Sequence, residues 1–326
     1  MNLNMKKKIR CNFVDFWQGF DYKIHLCFLS DEYELQIDKE HPDYLFYSCF
    51  GNEHLFYEDC IRIFWSDENI MPDLNLCDYA LSLSNLQCDD RTFRKYSGFL
   101  YRNDYQLVLP ILKKEALLNR KFCNFVYTNN FSAAPYRELF FNTLSRYKRI
   151  DSGGAFLNNM GKRVDDKQHF LHEYKFTLAI ENSSIPGYVT EKILEPFMAQ
   201  SLPLYWGSPT VSSDYHPNSF VNLMTYSSME EAVEEIIRLD KDDDAYLDKM
   251  MTPFWPYGAN FQEFRDSEIK KIKDFFIHIF EQPLDKAARR VRYGANKITL
   301  LKQRRYYAPT FLELSKTMTK KLLKKK

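Results

Sequence analysis

The sequence predicts an α/β fold in two domains, and three observations carry that expectation. Short apolar runs of strand length alternate with stretches of helical period along most of the chain. At 326 residues the chain exceeds what one hydrophobic core usually organises. The segment from Tyr174 to Pro209 spells a whole strand–loop–helix–strand unit. It has a strand over Phe176 to Ile180, a polar loop ending in Gly187, an amphipathic helix from about Tyr188 to Gln200, and a second strand over Leu202 to Trp206.

In chain order, the first domain (residues 1–118) is expected to hold strands Lys8–Phe13, Tyr44–Phe50, Ile61–Trp65 and Tyr79–Ser82. A Leu-rich stretch from Leu107 to Leu118 is expected to cross to the second domain, residues 119–285. That domain opens with a strand at Phe122–Tyr127 and a helix at Tyr136–Tyr147. The turn Asp151-Ser152-Gly153-Gly154 follows, and then the unit described above. Helices at Met229–Arg238 and Glu268–Phe280 are strongly amphipathic, and the period of IKKIKDFFIHIF is assigned to packing. The hydrophobic fraction of 45% is ordinary, and most of the 27 Phe and 22 Tyr are read as core or sheet residues.

Seven Cys, six of them before Asp89, show no C-x-x-C pair and no His at metal-ligand spacing, so reduced thiols and no metal site are expected. The basic start of the chain is interrupted by Asp15 and Asp21 where a signal peptide would need an apolar core. No apolar run approaches the roughly eighteen residues of a membrane span. A cytoplasmic location is therefore expected. The net charge of +1 hides an asymmetry: residues 286–326 carry fourteen Lys or Arg and one acid, net +13, which leaves −12 on the rest. Within that tail Val291, Ile298, Leu301, Tyr306, Phe311, Leu314, Met318 and Leu322 recur at near-helical spacing. A basic helix with an apolar face suits an anionic membrane surface, where each cation contributes on the order of 1 kcal/mol. A solvated charged tail is the plainer alternative, and nucleic acid is a third possibility that is not favoured.

Strand–loop–helix units place ligands at the carboxyl ends of their strands, where the first helical turn offers N–H groups to an anion. Tyr188, Glu191 and Lys192 are expected in that turn. A cation beside a carboxylate suits a ligand with phosphate and hydroxyl groups, such as a nucleotide sugar. The same residues also fit a solvated helix pair, and Trp206-Gly207-Ser208-Pro209 fits an ordinary turn.

Phe176 with Glu181-Asn182, then Gly187 to Lys192, then Tyr205 to Pro209 resemble, in order and spacing, the donor-binding signature of the α-1,3/4-fucosyltransferases. Ile61 to Leu83 and Lys121 to Gly154 are similar to two further segments of the bacterial members, and the likeness runs from about Lys7 to Phe276. One departure is Asp67, which stands where the pattern has Gly, a residue that reaches positive φ more readily. The resemblance implies a GT-B fold, two Rossmann-like domains facing a cleft. It also implies inverting transfer of L-fucose from GDP-β-L-fucose to the GlcNAc of Galβ1,4GlcNAc in α-1,3 linkage, to acceptors that are lipid-linked in related bacterial enzymes. α-1,4 linkage, a Glc acceptor, another GDP-sugar, and a catalytically inert membrane-surface protein are the alternatives.

By position in the motif, Glu68 is the expected base, with Asp67 as an understudy and a turn cap as the plain reading. Arg137 and Lys192 are expected at the diphosphate, the planar guanidinium as a fork and the ammonium as a point charge. A surface salt bridge is the dull reading of Arg137. Asn182, Tyr188 and Glu191 would receive sugar hydroxyls, Glu181 would orient the loop, and Gly187, Ser152 and Gly153 are further candidate donor contacts. Asp240-Lys241-Asp242 follows a helix rather than a strand and is read as a cap or linker, so no obligatory metal is expected.

Overall fold

The structure, a computed structural model, describes residues 6–101, 112–128, 130, 133–255 and 260–307. Eleven strands are described: β1 (Lys7–Val14), β2 (Tyr33–Ile37), β3 (Tyr44–Tyr47), β4 (Ile61–Trp65), β5 (Tyr79–Ser82), β6 (Thr92–Arg94), β7 (Lys121–Phe125), β8 (Ile150–Ser152), β9 (Tyr174–Ile180), β10 (Leu202–Trp206) and β11 (Val221–Asn222). The α-helices are α1 (Tyr22–His25), α2 (Lys114–Leu118), α3 (Tyr136–Leu144), α4 (Lys167–His172), α5 (Glu191–Met198), α6 (Met229–Lys241), α7 (Asp243–Met251), α8 (Phe261–Phe280), α9 (Leu284–Ala287) and α10 (Arg292–Tyr307).

The strands form two parallel sheets, ordered β2-β1-β3-β4-β5-β6 and β11-β10-β9-β7-β8. Counted from its own first strand, each sheet runs second-first-third-fourth-fifth, and the first sheet adds a sixth strand at its edge. The chain therefore reverses direction across the sheet between β1 and β3, and again between β7 and β9. Every residue of β4, β5 and β9 is buried, as strands covered on both faces must be, and they read as mostly apolar runs that also bury Arg62, Ser82, Lys175 and Thr177.

The first core gathers Ile9, Phe46, Ile63, Trp65 and Leu81, and it includes Ile272, Phe276, Ile279 and Phe280 of α8. The Phe276 ring sits 5.9 Å from Phe46 and 6.3 Å from Trp65. The expectation that residues 119–285 form one domain is corrected here, because α8 returns to the first sheet. Helical period shows that one face is buried, but not against which sheet. The second core joins Phe125, Phe140, Phe176, Leu178 and Leu204 to Ile236 of α6 and Tyr246 of α7.

The start of the basic segment 286–326 is tied to the body. Arg289 and Arg290 donate their backbone N–H groups to Asp78 Oδ1, each at 2.8 Å, and the Arg290 guanidinium meets Asp78 Oδ2 at 2.8 Å. The Asp78 side chain is fully buried and needs such neutralisation. Further on, Ala295 and Thr299 are buried against the body, while Val291, Tyr293, Leu300 and Leu301 stay exposed. Phe311, Leu314, Met318 and Leu322 lie outside the described residues, as does the start of the Leu-rich crossing at Leu107. Among the described residues, no helix is long and apolar enough to cross a membrane.

Candidate active site

The carboxyl ends of the two sheets meet. Asn69, after β4, donates to the Ser183 hydroxyl of the loop after β9. Arg94, ending β6, donates to Gly187 O at 3.0 Å and grips Asp214 through both oxygens at 2.8 and 2.5 Å. Gly187 itself has φ +87°, and a Cβ there would lie 2.5 Å from Asn85 Oδ1 and 2.7 Å from Leu83 O. Both the positive φ and the close approach to the other unit demand glycine. Its N–H is received by the hydroxyls of Ser208 and Thr210, each at 3.0 Å.

On the second unit, the crevice between β7 and β9 collects charge. Arg137, on α3, is buried with its guanidinium 4.2 Å over the Tyr127 ring, and its Nη2 donates to Ile180 O at 3.0 Å and Asn182 Oδ1 at 2.6 Å. Glu181 is fully buried and accepts from Thr190 N at 2.7 Å and from the Thr190 hydroxyl at 2.9 and 2.8 Å. Lys192 Nζ stands 3.2 Å from Glu181 and 3.6 Å from Glu191. Burial holds the Glu181 carboxyl above its usual value, against the pull of Lys192. Burial also favours a neutral Lys192, but Glu181 and Glu191 outweigh it and raise the ammonium well above its ordinary value. Glu191 is lowered: burial opposes its ionisation, and Lys192 and Lys167 overcome that opposition. Lys167 is in turn paired with Glu195. These side chains line a cavity of about 270 Å³. A larger one, of about 670 Å³, lies away from the cleft between α10 and the amino ends of β3 and β4.

The helix expected from Tyr188 begins instead at Glu191, because Thr190 caps it: its Oγ1 accepts from Lys192 N at 3.3 Å. Tyr188 thus lies ahead of the first turn, buried in the loop, where burial and the Glu181 and Glu68 carboxylates raise its phenol. Ser152 and Gly153 stand apart from the cluster at the end of β8. The Ser152 hydroxyl donates to Phe156 O at 3.1 Å, and Gly153 N donates to Phe125 O at 3.0 Å.

On the first unit, Glu68 is exposed at the cleft directly after β4, its N–H donating to Ser66 Oγ at 3.0 Å. Asp67 pairs with the fully buried Lys95. It is not among the described residues with positive φ, so its replacement of Gly introduces no such strain. The crevice between β1 and β3 is aromatic: Phe16 and Phe20 stack at 3.8 Å, and Trp17 lies 5.3 Å from His25 and 6.2 Å from Phe50, which is 52% exposed. Lys95, Arg94, Thr190 and Lys167 went unnamed in the sequence reading. Of these only Thr190, an N-cap residue just before an apolar-periodic run, carries a local signal.

Among the described residues, no group of three or more His, Cys, Asp or Glu could hold a metal. Asp242 caps α7 by accepting from Ala245 N at 3.0 Å, and Asp240 serves Lys148 at 3.1 Å and Tyr147 at 2.9 Å.

Two parallel α/β units whose carboxyl ends face a cleft, one edge bearing an exposed carboxylate and the other a crevice of paired cations and carboxylates, define a GT-B glycosyltransferase architecture. An α-(1,3)-fucosyltransferase FucT N-terminal domain model matches residues 11–101, and the glycosyltransferase family 10 (fucosyltransferase) C-terminal model matches residues 125–251. The α-(1,3)-fucosyltransferase FucT of Helicobacter pylori is 32% identical over 290 residues, which is 78% of this chain and 61% of that protein. A crystal structure of an α1,3-fucosyltransferase superposes with a TM-score of 0.72 at 28% identity, covering 86% of this chain and 92% of that one. One with GDP-fucose gives 0.65 at 27% identity, covering 83% and 92%. The chain belongs to the fucosyltransferases of glycosyltransferase family 10.

Proposed function

We propose that this chain transfers L-fucose from GDP-β-L-fucose, with inversion, to the GlcNAc of a Galβ1,4GlcNAc-type glycan in α-1,3 linkage. In this reading Glu68 takes the proton of the acceptor hydroxyl while that oxygen bonds to the fucose anomeric carbon. The bond from that carbon to the diphosphate breaks, and GDP leaves with the negative charge. Arg137 and Lys192 stabilise the diphosphate; Asn182, Tyr188 and Glu191 face its sugar hydroxyls. The observation that carries the reading is the tie between Asn69 and Ser183, which fixes the loop presenting Glu68 against the donor-side loop. The α1,3-fucosyltransferase crystallised with GDP-fucose supports the donor.

The acceptor would lie over Phe16, Trp17 and Phe50, whose ring faces suit the C–H face of a sugar. Because two side chains supply the positive charge, transfer should proceed in EDTA. The exposed Leu300 and Leu301 and the Lys residues from 316 onward support a cytoplasmic enzyme lying on an anionic membrane, tested by sedimentation with anionic against neutral vesicles. An assay of GDP release with GDP-fucose and a disaccharide panel tests the function. Acceptor-dependent release with Galβ1,4GlcNAc is expected, and release with another GDP-sugar only would overturn the donor.

A further inference from the structure

Lys95 follows the short edge strand β6, where a lysine ordinarily reads as surface. Its side chain is instead fully buried, its ammonium 5.9 Å from the Trp65 ring, and its N–H donates to Ser82 O at 2.9 Å. The ammonium passes the end of β5 and meets Asp67, one residue before Glu68. Burial lowers the Lys95 ammonium to about 7. The ammonium lies against the Asp67 carboxylate, the partner a buried charge requires.

The loop around Glu68 is thus held by three consecutive ties: Ser66 Oγ to the Glu68 N–H, Lys95 to Asp67, and Asn69 to Ser183. Only the Glu68 side chain between them is exposed. The neighbouring Arg94 holds the facing loop at Gly187 and Asp214, so one edge strand grips both lips of the cleft. The charged or titratable groups that the structure sets near Glu68 are Asp67 on its own loop, Lys95 behind Asp67, and Tyr188 across the cleft.

We propose that Lys95 is a positioning residue for Glu68: clamped on Asp67, it fixes the loop that presents the carboxylate and neutralises the acid beside it. The proposal rests on Glu68 as the base. Asp67 stands where the family pattern has Gly, so the pair is a feature of this chain and not of the signature.

The test uses the full chain with Lys95→Met, Asp67→Asn and the double variant Lys95→Met/Asp67→Gly. It measures transfer kinetics, and GDP affinity by calorimetry. Each single variant should lower kcat roughly tenfold or more, since small misplacements of a catalytic group have effects of that size. GDP affinity and the KM for GDP-fucose should stay within about twofold of wild type. The double variant, with neither charge buried alone, should recover most of the rate. It keeps the test decisive if a single variant fails to fold. Near wild-type kcat in Lys95→Met, alongside an inactive Glu68→Gln, would overturn the pairing alone. So would a double variant that recovers nothing. A Glu68→Gln enzyme that keeps its turnover would overturn the base assignment and this proposal with it.

Discussion

The two sheets share one strand order, yet the crevices at their reversal points are furnished in opposite ways. Between β1 and β3 stand Phe16, Trp17, Phe20 and Phe50; between β7 and β9 stand Arg137, Glu181, Glu191 and Lys192. Each crevice is stiffened by a buried carboxylate just past a strand. Asp15, after β1, accepts from Glu53 N at 2.9 Å, His54 N at 3.0 Å and the His54 ring at 2.6 Å. Glu181, after β9, holds Thr190 and Lys192. Topology decides where a ligand can sit, and the side chains decide which half of the reaction each crevice serves.

The largest expected effect separates chemistry from donor binding. Glu68→Gln should lower transfer by roughly 10² to 10⁴, the range that general-base catalysis supplies. GDP affinity should not change, because Glu68 lies on the other unit. Turnover near wild type would sink the assignment, and a joint loss of GDP binding would blur the division between the two crevices.

Next come the two buried carboxylates. Glu181→Ala leaves the mostly buried Lys192 without its nearest partner and should lower stability by about 3 kcal/mol or more in a denaturant titration. Asp15→Ala removes the acceptor of the His54 hydrogen bonds and should lower it by about 1 to 3 kcal/mol. A larger loss for Asp15→Ala would mean that the Lys192 ammonium finds solvent or another acid when Glu181 is gone.

A smaller contrast tests the crevices as binding sites. Arg137→Ala should weaken GDP while leaving guanosine binding unchanged if, as proposed, the side chain serves the diphosphate. Phe50→Ala should raise the acceptor KM several-fold with GDP affinity untouched, as expected from loss of an aromatic contact worth about 1 kcal/mol. The comparison fails if either variant produces the other's phenotype in calorimetry and steady-state kinetics.

Much of this architecture was legible before the structure. The bounds of β4, β5 and β10 follow from short, mostly apolar runs, and Arg137, Asn182, Glu191 and Lys192 do converge beside one crevice. What escaped has physical causes. The edge strands β2 and β6 carry Glu34, Gln36 and Arg94, so they lack the apolar signal of a buried strand. The start of α5 depends on Thr190 and a carboxylate nine residues earlier, a contact that no local window contains. Lys95 reads as a surface cation because nothing in Thr92-Phe93-Arg94-Lys95 announces that its side chain turns inward. The destination of α8 and the docking of Arg289 and Arg290 on Asp78 are long-range choices that period and charge count leave open.

The finest test of the comparison is a difference in pH slope between the two clamps. Burial lowers the His54 ring below its usual value of 6.5, Arg62 and Lys302 add to that fall, and Asp15 opposes it. As the pH drops below about 6.5, the unfolded chain takes up this proton before the folded one does. The stability tied to His54 is therefore complete above 6.5 and is lost as the pH falls through the lower folded value. Glu181 has the opposite slope: its raised folded value favours folding at low pH and is a liability as the pH rises from 4.5. The two contributions overlap in wild type, so the informative quantity is the difference between wild type and His54→Gln. Removing the ring takes away the His54 share of that slope, so the decline in unfolding midpoint between pH 7.5 and pH 5 should be smaller in the variant. Parallel midpoint curves for the two proteins would show that His54 does not titrate differently on folding. The first clamp would then be a hydrogen-bond network without a pH dependence of its own.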